Sequence, residues 1–362
     1  MLGNMKASIS FTKDHTLITK GILIVMMLIH HLFYPDMLET YEISTILANS
    51  DLLEHISGFC KMCVPGFAFL SAFGITSSLM KTQDDIDNAS SYCFKIVCKR
   101  LIKLGSVVGF IYIVAIFFKR FVMLESIREL YDMGNGFSIV YMVIDVLGLA
   151  KYFGTPMINI TWWYLTYAVL LIVSMPFIFL AYKKYRYLIL PVGCLLPGAF
   201  SMKFSFSSLL PCVILGTAFA YEGWMEKIHT LNKNIFTKIF VIIIEGAGIW
   251  FSYLLYRNTD ITYSYVFVFL IPLFVVDVVA YVPVLRHVLK FLGRHATNIF
   301  LTHTFIYYYF YTEFIYSFKE DWLILSVMLL ICTLLSVILE FVKKISCFNL
   351  LIDKILVRMK LE

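Results

Sequence analysis

The sequence predicts an all-α fold: a polytopic integral membrane helix bundle of about ten transmembrane helices, with the N- and C-termini cytoplasmic. Composition is the first observation behind this. Of 362 residues, 60% are hydrophobic and 15% charged, with a mean hydropathy of +0.83, whereas soluble domains carry roughly a quarter charged residues. The second is the recurrence of apolar runs long enough to cross about 30 Å of hydrocarbon. The third is that Lys and Arg cluster in alternate connections between those runs. The 33 Phe, 23 Tyr and 5 Trp suit helices that face lipid and end at its interfaces.

In chain order, spans are expected at 17–34, 59–79, 101–118, 161–182, 187–200, 206–221, 236–256, 262–282, 297–317 and 322–342. Lys6 and Lys13 before the first run resemble the start of a secretory signal, but no small-residue cleavage site follows, so the run is read as a retained helix. The fifth and sixth runs are short, and Pro191 and Pro197 interrupt the fifth; a re-entrant pair is the alternative there, and it leaves the later topology unchanged. An eleventh apolar stretch, 137–150, contains Asp145. With ten spans, 22 of the 30 Lys and Arg lie inside and 8 outside; were the eleventh to span, the split would be 12 to 18. The positive-inside rule therefore puts that stretch on the surface. Residues 1–345 then form one membrane-embedded domain, and 346–362, mixing apolar and basic residues, a cytoplasmic tail lying along the inner leaflet.

The net charge of +6 sets orientation and contacts anionic membrane lipid, and carries no nucleic-acid inference. The 8 cysteines are scattered. Their one close pair, Cys60 and Cys63, lacks a second pair or nearby histidines, so no metal site is expected. No internal repeat and no Gly-rich phosphate loop is seen.

In the first run Lys20 and His31 are eleven residues apart. At 100° per residue this is about three turns, placing both on one helix face ~16 Å apart along the axis. Lys20 snorkelling to the inner interface, with histidines marking the outer one, would account for them separately. His30 and His31, however, diverge by ~100°, and both facing lipid would be costly, so one is expected to face a protein interior or wet cavity. Glu245 and Asp277 fall inside apolar runs and are expected to pair with a histidine or cation in the bundle. Ser71 has two readings, a donor or nucleophile for substrate and a small residue that lets helices pack; the second is favoured.

Several segments, taken together, resemble the acyltransferase family 3 membrane proteins. Lys20 to His31 fits the family's first helix, with a basic residue, ten residues, then His. Cys63-Val-Pro-Gly-Phe-Ala-Phe-Leu-Ser71-Ala72-Phe73-Gly74 is similar to its second helix, although Ala72 stands where the family has Gly. Lys99-Arg100-Leu101-Ile102-Lys103 resembles the basic element opening its third helix, Trp162-Trp163-Tyr164-Leu165 its Trp-rich helix start, and Phe291-Leu292-Gly293-Arg294 through Leu301-Thr302-His303 its late Leu-Gly-Lys-Ser segment. The resemblance spans nearly the whole chain.

That resemblance implies a multi-pass cell-membrane enzyme moving an acyl group, by default acetyl, from acyl-CoA to a hydroxyl of a cell-surface or lipid-linked sugar. It implies no permanently bound cofactor, acetyl-CoA or another acyl-CoA as donor substrate, and a glycan acceptor. His31 is the expected base, since an imidazole titrates near neutrality, with His30 beside it. Lys20, Arg100 and Lys103 are expected to hold the coenzyme A phosphates. His303 has two readings of equal weight, a second acid or oxyanion donor and a buried histidine bonded to a carbonyl. Trp163, Ser71, Glu245 and Asp277 complete the substrate and structural candidates. A transporter or flippase for a lipid-linked glycan is the alternative function.

Overall fold

The computed structural model describes residues 11–47, 49–81, 89–124, 126–134, 136, 138–199, 205–231 and 234–361. Its main helices are α1 (Lys13–Leu32), α2 (Ser50–Phe59), α3 (Cys63–Met80), α4 (Ala89–Phe117), α5 (Ser138–Val146), α6 (Trp163–Tyr185), α7 (Ile189–Ala199), α8 (Ser205–Glu222), α9 (Trp224–His229), α10 (Ile235–Asn258), α11 (Leu270–Asp277), α12 (Pro283–Thr304), α13 (Asp321–Ile345) and α14 (Phe348–Arg358). Among the described residues the only extended pairing is an isolated bridge between Ser44 and Glu320. The chain is thus an all-α membrane bundle.

Among the described residues six helical stretches are long and apolar enough to cross a bilayer: Lys13–Leu32, Ser50–Met80, Ser91–Val122, Ile160–Gly193, Ile235–Asn258 and Asp321–Ile345. Ser207–Glu222 and Tyr265–Tyr281 are shorter apolar helices. The fourth expected run is α6, which ends at Tyr185; a 3-10 turn at Arg186–Leu188, with Arg186 in the left-handed region (φ 51°), separates it from α7 in the fifth. The expected run at 297–317 starts in the last turns of α12, which begins at Pro283 and carries Arg286, Lys290 and Arg294 on helix, and continues through a π-helical segment, Phe305–Phe310, and a short helix, Thr312–Tyr316. Likewise α4 begins well before residue 101, so Lys95, Lys99 and Arg100 are helical. The stretch at 137–150 yields only the nine-residue α5. Lys6 and residues 200–204, where the fifth and sixth expected runs meet, lie outside the described residues.

Two compact units are distinguished, one of residues 1–81, 177–296 and 315–329, the other of 82–176, 297–314 and 330–362. In the first, α1 packs on α11 and α12 through Ile18, Val275, Val279 and Leu289. Two glycines set how closely α1 and α12 approach: a Cβ on Gly21 would meet the backbone of Leu289, and one on Gly293 the backbone of Leu17. Each helix places its glycine where the other's main chain passes, the device by which membrane helices gain contact without a hydrophobic driving force. Gly216 of α8 does the same against Phe69 and Ala72 of α3. A glycine at this crossing is therefore supplied from the facing helix.

Helix α10 shows which solvent the fold suits. Phe236, Phe240, Ile243 and Trp250 are exposed along it, while Glu245 and Ser252 are buried. Polar groups inside and large apolar groups outside is the arrangement that lipid demands.

The second unit has its own core. Val108, Ile111, Tyr112, Trp162, Leu165, Leu301, Phe305 and Leu339 are buried together, and Phe348 of α14 packs its ring 5.1 Å from that of Phe110. The tail after 345 is thus a helix joined to α4, with Leu356 buried. Asp145 is buried at the centre of a polar network: its carboxylate accepts from the Tyr131 hydroxyl at 2.6 Å and the Ile158 N–H at 2.7 Å. Removal from water pushes the Asp145 carboxyl above its ordinary value, against the lowering effect of those two donors.

Candidate active site

In the first unit α1 holds Lys20 and His31. Its start is fixed by a reciprocal cap, the Thr12 hydroxyl accepting from His15 N–H while Thr12 N–H donates to the His15 ring. Because α1 is unbroken from Lys13 to Leu32, Lys20 and His31 share a face at the ~16 Å axial offset of an ideal helix. Both are half-buried.

The last turn of α1, which bears His31, would ordinarily leave its carbonyls without partners. Here it is fastened from two sides. The Ser57 hydroxyl donates to the His30 carbonyl at 3.2 Å, and the Tyr316 hydroxyl to the Leu32 carbonyl at 3.0 Å. Tyr316 is itself stacked on Tyr41, ring centres 4.3 Å apart. His30 is committed to the same fastening, its Nδ1–H donating to the Ser57 carbonyl at 3.0 Å. The adjacent His31 ring lies 5.1 Å from that of His30. Ser57 and Tyr316 escaped sequence reasoning because neither sits at a helical spacing from His31. No local signal marks them.

Ser71 is half-buried in α3. Asp277, at the end of α11, lies 2.9 Å from Nδ1 of His229, and Glu245 of α10 is within hydrogen-bonding reach of Asp277. His229 was not a sequence candidate. It sits outside the apolar runs, where a lone His reads as an ordinary surface residue.

The second unit holds the remaining candidates. His303 is fully buried and its Nδ1 lies 2.8 Å from the Phe300 carbonyl and 3.2 Å from that of Ile299. Nδ1 must therefore carry a hydrogen, and Nε2 lies 3.2 Å from the Thr304 hydroxyl. Thr304 continues to Thr161 at 2.8 Å, and Thr161 to Asn159 at 2.8 Å. The Thr161 hydroxyl donates to Asn159 and Thr304 has one hydrogen, so these three contacts are all filled only when Nε2 of His303 also carries a hydrogen. Trp162, rather than Trp163, anchors this region: its buried indole N–H donates to the Leu301 carbonyl at 3.1 Å, while Trp163 is half-buried.

Arg100 is half-buried and Lys103 exposed on α4. A further cation in this unit, Lys343, is buried and donates to Asn298 at 3.0 Å and to Glu340 at 2.8 Å; Asn298 also donates to Ser336 at 3.0 Å and to Glu340 at 2.8 Å. Asn298 lies within the Leu-Gly to His segment, so the sequence marked the stretch without marking this residue. Lys20 and His31 belong to one unit, and Arg100, Lys103 and His303 to the other. Among the described residues no group of three or more His, Cys, Asp or Glu side chains is arranged to hold a metal ion.

Comparison with curated proteins and with solved structures found no match. A family model described as an acyltransferase domain matches residues 18–341. The match begins at the buried Ile18 of α1 and takes in Lys20, His31, the Gly21 and Gly293 crossing, Trp162, His303 and all but the end of α13. The chain belongs to acyltransferase family 3.

Proposed function

We propose that this membrane acyltransferase transfers an acyl group, by default acetyl, from acyl-CoA to a hydroxyl of a cell-surface or lipid-linked sugar. In this reading it is a multi-pass protein of the cell membrane with both termini in the cytoplasm. The observation that carries the proposal is the placement of Lys20 and His31 on one face of a single helix, within a family match that covers nearly the whole chain. The ~16 Å between them is of the scale an extended pantetheine arm bridges.

His31 acts as the base. It removes the proton of the acceptor hydroxyl as the oxygen attacks the thioester carbonyl; the carbon–sulfur bond then breaks, and the coenzyme A thiolate takes up a proton as it leaves. The C-terminal end of α1, with its negative partial charge, lies beside the imidazole and attracts the positive charge that forms on it. The Ser57 and Tyr316 contacts keep that turn in place. Lys20 supplies cationic charge for the donor phosphates in the first unit, and Arg100 and Lys103 are the candidates for that role in the second. His303 in this reading holds a proton, since a hydrogen on Nε2 is what completes the contacts through Thr304 and Thr161 to Asn159. Trp163 offers an aromatic face for a sugar, while Ser71 keeps the helix-packing reading.

The test is purified protein in lipid with labelled acetyl-CoA and a panel of glycans, comparing wild type with His31→Ala. Donor-dependent labelling of a glycan that is lost in the variant is expected. No turnover with any acyl-CoA, together with glycan movement across liposomes, overturns the proposal in favour of transport.

A further inference from the structure

The first unit holds a second cluster of ionisable groups that acyl transfer leaves unused. Glu245 sits in the middle of α10, Asp277 at the end of α11 and His229 at the end of α9. The two acids are 2% and 1% exposed. His229 reaches Oδ1 of Asp277 with Nδ1 at 2.9 Å, and its side chain keeps 16% of its surface exposed. One end of the cluster is sealed in the bundle and the other opens outward.

Neither carboxyl oxygen of Glu245 has a hydrogen-bond donor, yet the Asp277 carboxyl is within hydrogen-bonding reach of it. Two ionised carboxylates cannot hydrogen-bond, because both are acceptors only. A buried carboxylate lacking any donor costs several kcal/mol. A single proton held between the two oxygens removes both problems, since like charges at this range do not both persist. His229 reaches only Oδ1 of Asp277, leaving Oδ2 to the shared proton, and cannot by itself satisfy Glu245. Charge also reaches this cluster from α1, where the charge of His15 is felt by both His229 and Asp277; Asp14 and Lys20 lie on the same helix.

We propose that Glu245 and Asp277 form an intramembrane proton-binding site, which holds one proton between the two carboxyls and exchanges it with water through His229. Exchange needs no co-reactant. The imidazole takes a proton from water on one ring nitrogen as Nδ1 passes its own to Asp277, and the return step reverses this. The proposal stands independently of the acyl donor and acceptor, so its failure and theirs are separately detected.

The experiment is infrared difference spectroscopy on the full chain in lipid nanodiscs at neutral pH. Wild type minus Glu245→Gln is expected to show a protonated-carboxyl C=O stretch that shifts in D2O. Gln can donate to Asp277 in place of the proton, so the variant keeps the pairing while losing the band. Carboxyl-13C glutamate labelling of wild type reports the same band without any substitution and is expected to shift it. His229→Gln is expected to retain the band but slow its deuterium exchange by about 100-fold. Absence of a label-sensitive protonated-carboxyl band overturns the site. Exchange in His229→Gln as fast as in wild type overturns the role of His229.

Discussion

Replacing Gly293 by Ala adds one methyl group at the crossing of α1 and α12. The new Cβ would overlap the carbonyl oxygen, carbonyl carbon and Cα of Leu17. All three are main-chain atoms, so no rotamer change relieves the clash and the helices must part. Overpacking of this kind costs about 1–3 kcal/mol. Parting also opens the contacts of Ile18 with Val275, Val279 and Leu289, and a gap of even 0.5–1 Å forfeits roughly a quarter to a half of each dispersion well. The expected loss is therefore at the upper end, about 3 kcal/mol, near 150-fold in the unfolding equilibrium. A matched control is Gly109→Ala in α4, where an added Cβ has nothing within 4 Å; it should be neutral or stabilising by up to about 1 kcal/mol.

The assay is titration with SDS from mild-detergent micelles, followed by far-ultraviolet circular dichroism and tryptophan fluorescence. Gly293→Ala should shift the midpoint down and Gly109→Ala should not. A double variant sharpens the reasoning. Truncating Leu17 to Ala should not rescue Gly293→Ala, because the clash is with backbone. By contrast Gly66→Ala would meet only the end of the Leu23 side chain, and Leu23→Ala should recover part of that loss. Gly293→Ala unfolding at the wild-type midpoint, or rescued by Leu17→Ala, would refute the close crossing.

Three further outcomes are expected. His30→Ala should lower stability by roughly 1–3 kcal/mol through loss of the Ser57 bond while retaining more turnover than His31→Ala; the reverse ranking in kcat contradicts the assignment of the base. Asp145→Ala leaves the Tyr131 hydroxyl and the Ile158 N–H without their shared acceptor and should cost about 2–4 kcal/mol in the same SDS titration. Because the Asp145 carboxyl is raised above its unfolded value of 3.8, folding favours its protonated form. Its contribution is full below that value and is lost as pH rises through the folded one. The melting temperature of Asp145→Asn should accordingly gain on wild type as pH rises through that window, and a constant difference contradicts the sign. Lys343→Met leaves buried Asn298 without the donor at its carbonyl oxygen and should cost about 1–3 kcal/mol; Lys343→Arg should recover part of it.

Composition and spacing determined a good deal here by themselves. The solvent was legible because a chain with so few charges cannot clothe itself for water. The shared face of Lys20 and His31 was legible because helix geometry is local and needs no other part of the chain. The exclusion of 137–150 from the spans followed from counting charges, and α5 is correspondingly short.

What only the tertiary structure decided are the contacts made across long sequence separations. No spacing rule brings Ser57 and Tyr316 to the last turn of α1, Lys343 to Asn298, or His229 and Glu245 to Asp277. Trp162 and Trp163 are adjacent and chemically identical, so which of them is buried depends on how α6 is turned toward Leu301. The sequence contained each of these residues, but a buried polar group declares its partner only once the helices are packed. In a bundle where lipid is as apolar as the core, it is such polar pairs and glycine crossings, and not hydrophobicity, that choose one packing among many.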